Sequence, residues 1–234
     1  RVLFRSKKDL RVFRVRFNQS TEPVDVVIKL VVVNRRSISL APHFLHKFLL
    51  RKSAILVPAF ARVAARIDDL HLVVAGPDDG MEAPARGWVA AHGIGERVTF
   101  TGLLSGEAKL EAFRDAACFA LPSYSENFGI AAVEALACGL PVAITDKVNT
   151  WRDVQAAGAG LVGPPTVEAV AEQIGRLAGD PATVFTMGTR GRSLVAGKYA
   201  WSKIARSLEA VYRSDRKSTR LNSSHVKRSR MPSS

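Results

Sequence analysis

From Ser53 onward the chain alternates short apolar, β-rich runs with amphipathic helical patterns, at intervals of about 20–25 residues. Ile55, Leu56, Ala59, Phe60, Val63, Ala64 and Ile67 recur at helical spacing and give one apolar face. Leu70–Ala75 (LHLVVA) reads as a buried strand running into the loop Gly-Pro-Asp-Asp-Gly. Met81–His92 is expected to be helical, Arg97–Thr101 to be a strand, and Ser105 to cap a helix through Phe113. Ala117–Leu121 is the next strand, stopped by Pro122, and a helix follows from about Phe128 to Ala137. Pro141–Thr145 and Gly160–Val162 are further strands. Helices are then expected over Thr166–Leu177, Pro181–Ala196 and Ser202–Tyr212. Such alternation builds βαβ units. The expected fold class is therefore α/β: a Rossmann-like parallel sheet flanked by helices, with strands covered on both faces. Ligands of such sheets bind beyond the carboxyl ends of the strands. That singles out the loops Gly76–Gly80, Gly102–Ser105, Pro122–Asn127 and Asp146–Trp151.

Composition narrows the partners. With 47% hydrophobic and 24% charged residues, the chain is neither collagen-like, coiled coil nor wholly disordered. No apolar run approaches the ~18 residues of a membrane span, and no leader pattern opens the chain. Cys118 and Cys138 alone make neither a disulfide framework nor a zinc site, so a reduced, cytoplasmic compartment is expected. The formal charge of +13 suggests nucleic acid or an anionic membrane, but it is unevenly spread. Residues 1–52 carry 13 basic against 3 acidic side chains, residues 53–213 carry 15 against 17, and residues 214–234 carry 6 against 1. The patterned body is slightly acidic, so no nucleic-acid partner is expected of it.

Three segments follow. Residues 53–213 form the patterned domain. Residues 214–234 are Ser-rich and basic with almost no apolar residues, are expected to be disordered, and resemble translated adapter sequence. Residues 1–52 mix bulky apolar and basic residues without a clean period, although Val26–Val33 could be a buried strand. A frameshift or fusion upstream of about Ser53 would explain this, and an authentic basic segment is the alternative.

The chemistry concentrates in Leu121–Asp146, LPSYSENFGIAAVEALACGLPVAITD. A strand ends at Leu121, a polar loop carries Glu126, Asn127-Phe128-Gly129 opens a helix, and Glu134 lies eight residues after Glu126. The first turn of a helix presents unpaired N–H groups and the positive end of the dipole, which suits a phosphate. Gly129 lets a ligand approach the backbone. Glu126 and Glu134 can accept hydrogen bonds from hydroxyls on opposite sides of that phosphate. A nucleotide sugar is a molecule of this form.

The E-x(7)-E spacing within SENFGIAAVEALACGLPV resembles the retaining glycosyltransferases of the GT-B fold, in their donor-binding C-terminal half. The resemblance covers about Ile55–Arg213 and includes LVPAFARV, LHLVVAGP and RVTFTGLL. It implies that Glu126 sits at the catalytic centre, against the donor sugar hydroxyls, as a positioning and electrostatic group and not a nucleophile. It implies that the backbone at Asn127, Phe128 and Gly129 approaches the sugar. Ile130 and Ala131 would hold the diphosphate, Glu134 the ribose hydroxyls, and Gly102 to Leu104 would lie beside the base. The donor is a nucleotide sugar and the acceptor a glycan or lipid, so a peripheral place at the inner membrane face is open to the protein. No cofactor is implied, and no Asp-x-Asp motif suggests a metal. The chain departs from the family where Gly-Arg and Lys-Gly normally precede the first helix. Arg51 and Lys52 are the candidates for neutralising the diphosphate, but do not align without a gap. The N-terminal acceptor domain is also missing. The alternative functions are a non-catalytic nucleotide-binding module, an inactive fragment, and a basic nucleic-acid or membrane-surface binder.

Other motifs read blandly. Gly158–Gly163 matches G-x-G-x-x-G, yet it follows a helix and runs into Pro164-Pro165, so a turn is expected and not a dinucleotide site. His43 and His46 lack a third metal ligand. His71 is expected at a strand, His92 at a helix end, and both cysteines as small buried residues. Tyr124 fits a cleft residue and an ordinary loop aromatic equally. Trp201, in step with Ile204, Leu208 and Val211, reads as core.

Overall fold

The computed structural model describes residues 28–33, 42–78 and 80–213, with side chains from Lys52 onward apart from residue 79. Six strands form one sheet in the order β3-β2-β1-β4-β5-β6. They are β1 (Ile28–Val33), β2 (Leu70–Ala75), β3 (Val98–Gly102), β4 (Cys118–Leu121), β5 (Val142–Thr145) and β6 (Gly160–Gly163). Every neighbouring pair is parallel. The chain moves outward from β1 to β3, returns to place β4 beside β1, and moves outward again. This reversal opens a crevice at the carboxyl ends of β1 and β4, the usual ligand position in such sheets.

The helices are α1 (Pro42–Ala64), α2 (Glu82–Ala91), α3 (Gly106–Arg114), α4 (Ile130–Ala137), α5 (Trp151–Ala157), α6 (Val167–Gly179), α7 (Pro181–Leu194) and α8 (201–213). A π-helical turn, Val195–Tyr199, follows α7. Two results concern the segment before Ser53. The sheet takes in Ile28–Val33 at its middle, and α1 begins at Pro42, not near Ser53. His43, His46 and Arg51 lie on α1, with side chains outside the described residues. The disorder expected of 214–234 also lies outside them.

Alternation along the central strands explains the two-sided core. Cys118 and Ala120 join the cluster under α1 and α6, whereas Phe119 and Leu121 join the one under α4. Ala143 likewise faces the first, and Val142 and Ile144 the second. Successive side chains point to opposite faces of a strand, so a strand covered by helices on both sides must be apolar throughout. The α1 stripe of Ile55, Leu56, Ala59, Phe60, Val63 and Ala64 is buried, and Ile67 packs against its edge just beyond the helix end.

Arg97 closes that end. Its guanidinium donates to the carbonyls of Ala64 (2.7 Å), Leu70 (3.2 Å), Ile67 and Asp68. These include carbonyls that a helix C-terminus leaves without partners. The glycine run ends as the sequence suggests. Gly158 caps α5 at φ 58°, and Gly160 opens β6, where a Cβ would lie 2.2 Å from the Val142 carbonyl oxygen. Close strand approach, not nucleotide binding, explains that glycine.

Trp201 is a correction. It is 81% exposed, Leu208 and Val211 are exposed as well, and only Ile204 is half-buried. Neither core cluster reaches beyond Val195, so α8 runs past the packed body. No helix among the described residues is long and apolar enough to cross a membrane.

Candidate functional site at the carboxyl edge of the sheet

Leu121 ends β4, and the chain turns through Pro122 and the buried Ser123. The Ser123 hydroxyl donates to the Ser125 carbonyl at 2.9 Å, and the Thr145 hydroxyl donates to the Ser123 carbonyl. Buried hydroxyls that bond backbone in this way leave the loop little freedom. Glu126 then forms a parallel bridge with Val148. Its N–H donates to the Lys147 carbonyl, and its carbonyl accepts from the Asn149 N–H, both at 3.0 Å. The Glu126 backbone is thereby fixed to the loop after β5.

Gly129 caps α4 in the left-handed region, at φ 72°. A Cβ there would stand 2.7 Å from Cγ1 of the fully buried Val148. Only glycine accommodates both the conformation and the contact. Its carbonyl accepts from Ala132 and Val133, and no side chain caps the helix. The first turn, with Ile130 and Ala131, therefore keeps the donor character and positive dipole end that suit an anion. Asn127, Phe128 and Ile130 are exposed beside it, and Ala131 is buried.

Each glutamate of the motif meets a lysine. Glu126 Oε2 lies 2.9 Å from Lys52 Nζ, with the side chains 16% and 14% exposed. Glu134 Oε1 lies 2.8 Å from Lys109 Nζ, at 26% and 14% exposure. Both pairs are largely withdrawn from water, where an ion pair is less screened than at the surface. Lys52 was a sequence candidate. Lys109 was not, because it sits on α3 in a helical pattern that carries no motif, and only the α3–α4 packing brings it to Glu134.

Lys52 also lines a small cleft of about 60 Å³ with Leu56, Gly76, Asp78, Phe100 and Pro122. Asp78 is spent on structure, since its Oδ1 accepts from the N–H groups of Gly80, Met81 and Glu82 at the start of α2. Gly102 ends β3 at φ 69°, and its carbonyl accepts from the Gly76 N–H at 2.8 Å. Leu104 packs with the cluster that includes Ala131 and Ala135 of α4. No hydrogen bond or ion pair among the described residues joins Gly102 or Leu104 to either glutamate. His71 is half-buried in β2, and His92 is exposed at the end of α2. Burial pushes the Cys118 thiol up to about 12 and raises that of half-buried Cys138, so neither is a ready nucleophile. Among the described residues, no group of three or more His, Cys, Asp and Glu side chains could hold a metal ion.

The chain is similar to known proteins over this same region. The D-inositol 3-phosphate glycosyltransferase of Nocardia farcinica is 37% identical over 146 residues, 60% of this chain and 32% of that protein. The chain thus spans about a third of the length of this relative. The sucrose-phosphate synthase of Thermosynechococcus elongatus superposes with a TM-score of 0.65 at 28% identity, over 82% of this chain and 46% of that one. Anabaena Alr3699/HepE, solved with UDP-glucose, matches in fold with a TM-score of 0.66 at 18% identity, over 80% of this chain and 49% of that one. The architecture is thus that of the C-terminal half of a GT-B fold. The model of the family described as glycosyl transferases group 1 matches residues 51–194, well over half of the sequence, and the chain belongs to that family.

Proposed function

We propose that this chain is the donor-binding half of a retaining glycosyltransferase that takes a sugar from a nucleoside diphosphate sugar. The observation that carries the reading is the placement of Glu126 before, and Glu134 within, a glycine-started helix without a side-chain cap, each paired with a lysine. Glu126 would accept from donor sugar hydroxyls, with the backbone of Asn127, Phe128 and Gly129 alongside. The N–H groups at Ile130 and Ala131 would take the diphosphate, and Glu134 would accept from the ribose hydroxyls. Gly102 and Leu104 are assigned to the neighbourhood of the base. Lys52, with Arg51 one residue before it, would supply positive charge to the diphosphate as it leaves. This scheme calls on no metal, because Lys52, which reaches Glu126 at 2.9 Å, would supply the positive charge.

Transfer with retention needs no protein nucleophile. The bond from the anomeric carbon to the diphosphate oxygen breaks, and its electron pair stays on the diphosphate. An acceptor hydroxyl attacks the same face, and its proton passes to the departing phosphate oxygen. Glu126 orients the sugar and stabilises positive charge that develops on it. On this reading a second domain would hold the acceptor, and a glycan or lipid acceptor is proposed on the family resemblance alone. The Nocardia relative is named for D-inositol 3-phosphate, which supports a transferase reading.

A thermal-shift screen of the 234-residue chain against UDP-, GDP- and ADP-sugars tests the proposal. A ligand that binds only the folded state raises its stability as ln(1 + [L]/Kd). One nucleotide class should raise the melting temperature, and the shift should vanish in Glu134→Ala. A folded chain that responds to none of them would refute donor binding.

A further inference from the structure

We propose that Tyr199 is a positioning residue for the donor sugar, acting through Phe128. The inference rests on the donor-binding reading above and adds a residue that lies outside the Glu126–Glu134 motif. Tyr199 ends the π-helical turn Val195–Tyr199, a local widening of the helix that is rare overall and enriched at functional sites. Its ring meets Phe128 edge to face, with centroids 5.4 Å apart and planes at 88°. Its hydroxyl donates to Asp153 Oδ2 on α5. The adjacent Lys198 meets Asp153 Oδ1 at 2.5 Å. Asp153 therefore gathers two consecutive residues of the turn and fixes the direction of the Tyr199 ring.

Phe128 needs such a support. It is 41% exposed, and it sits between Glu126, whose backbone is bridged to Val148, and Gly129, which starts α4. The bridge holds one end of the Glu126–Gly129 loop and the helix holds the other. Tyr199 is the aromatic partner of the exposed ring between them. α5, which carries Asp153, begins three residues after Val148, at Trp151, with Thr150 as its N-cap. The bridge and the Tyr199 contact are thus anchored to one continuous segment, 147–153. Loss of the ring contact frees the Asn127–Phe128 backbone, which is assigned to the sugar. It leaves the helix start and Glu134, assigned to diphosphate and ribose, in place.

This division sets the test. UDP-glucose, GDP-mannose and ADP-glucose are titrated into the full chain, and the tightest is carried forward with its sugar-free nucleoside diphosphate. Tyr199→Leu should weaken the sugar nucleotide about tenfold and the diphosphate less than about twofold, the scale of one aromatic pair. Tyr199→Phe keeps the ring but loses the bond to Asp153, and should show the same split at a smaller size than Tyr199→Leu. If Tyr199→Leu unfolds too readily to titrate, Phe128→Leu removes the same contact at an exposed position and should give the same split. Equal losses on both ligands, or none on either, would overturn the role of Tyr199 while the donor reading stands. A folded wild-type chain that binds no sugar nucleotide would overturn both.

Discussion

Lys52 and Glu126 stand 74 residues apart in the chain, and their charged atoms stand 2.9 Å apart in the fold. One is carried by the first helix and the other by the loop after β4, across the crevice that the strand order creates. With both side chains more than four-fifths covered, each charge depends on the other for the stabilisation water no longer supplies. Lys52→Met is therefore expected to lower unfolding stability by about 1–2 kcal/mol, between the values typical of surface and buried pairs. Glu126→Gln in the same chain should recover much of that loss, which a urea double-mutant cycle would reveal. Additive losses would show that the pair is not coupled.

Gly129 carries two independent constraints, a φ of 72° and a Cβ position 2.7 Å from Val148. Gly129→Ala should cost about 1–3 kcal/mol of stability, since an L-residue in that region is strained and Val148 is packed on all sides. Thermal or chemical unfolding measures the cost. Nucleotide binding should fall with it, because the start of α4 must shift. A variant that melts like wild type would refute the close packing.

The Asp153–Tyr199 contact should impose a pH window. Hydrogen bonds from Lys198 and then Tyr199 hold the Asp153 carboxyl below the usual carboxylate range. Its contribution is present above the unfolded value near ~4 and is lost as pH falls through the folded value. Burial, and then the bond to Asp153, push the Tyr199 phenol above its ordinary value. That contribution is present below the unfolded value near ~10 and is lost as pH rises through the folded one. The stability difference between wild type and Tyr199→Phe should be flat from about pH 5 to 9 and shrink on both sides. A difference independent of pH would contradict the contact.

The fold was legible because its signals are local. Cys118–Leu121 is apolar on every residue and Leu70–Ala75 on all but His71, and a proline or a glycine follows each. Most boundaries moved by a residue or two, as where α4 begins at Ile130 because Gly129 takes the left-handed cap position, but α1 starts at Pro42, well before the regular pattern. The central place of Ile28–Val33 was less legible, since a short apolar run names a strand but not its neighbours. Trp201 misled because helical periodicity shows that a face is apolar, not that this body covers it. The Glu126–Gly129 segment could be read because its chemistry is contiguous in sequence. Lys109, Asp153 and Tyr199 could not, because they come from three other elements and join the site only through packing.

The central claim is that Glu126 and Glu134 address opposite ends of one donor, and a three-ligand titration tests it most directly. The ligands are the preferred nucleotide sugar, its nucleoside diphosphate, and the 2′-deoxy form of that diphosphate. The account predicts that Glu126→Ala weakens the sugar nucleotide and spares the diphosphate. It predicts that Glu134→Ala weakens both and erases the preference for ribose over deoxyribose. Losses that are the same for both variants on all three ligands would contradict it.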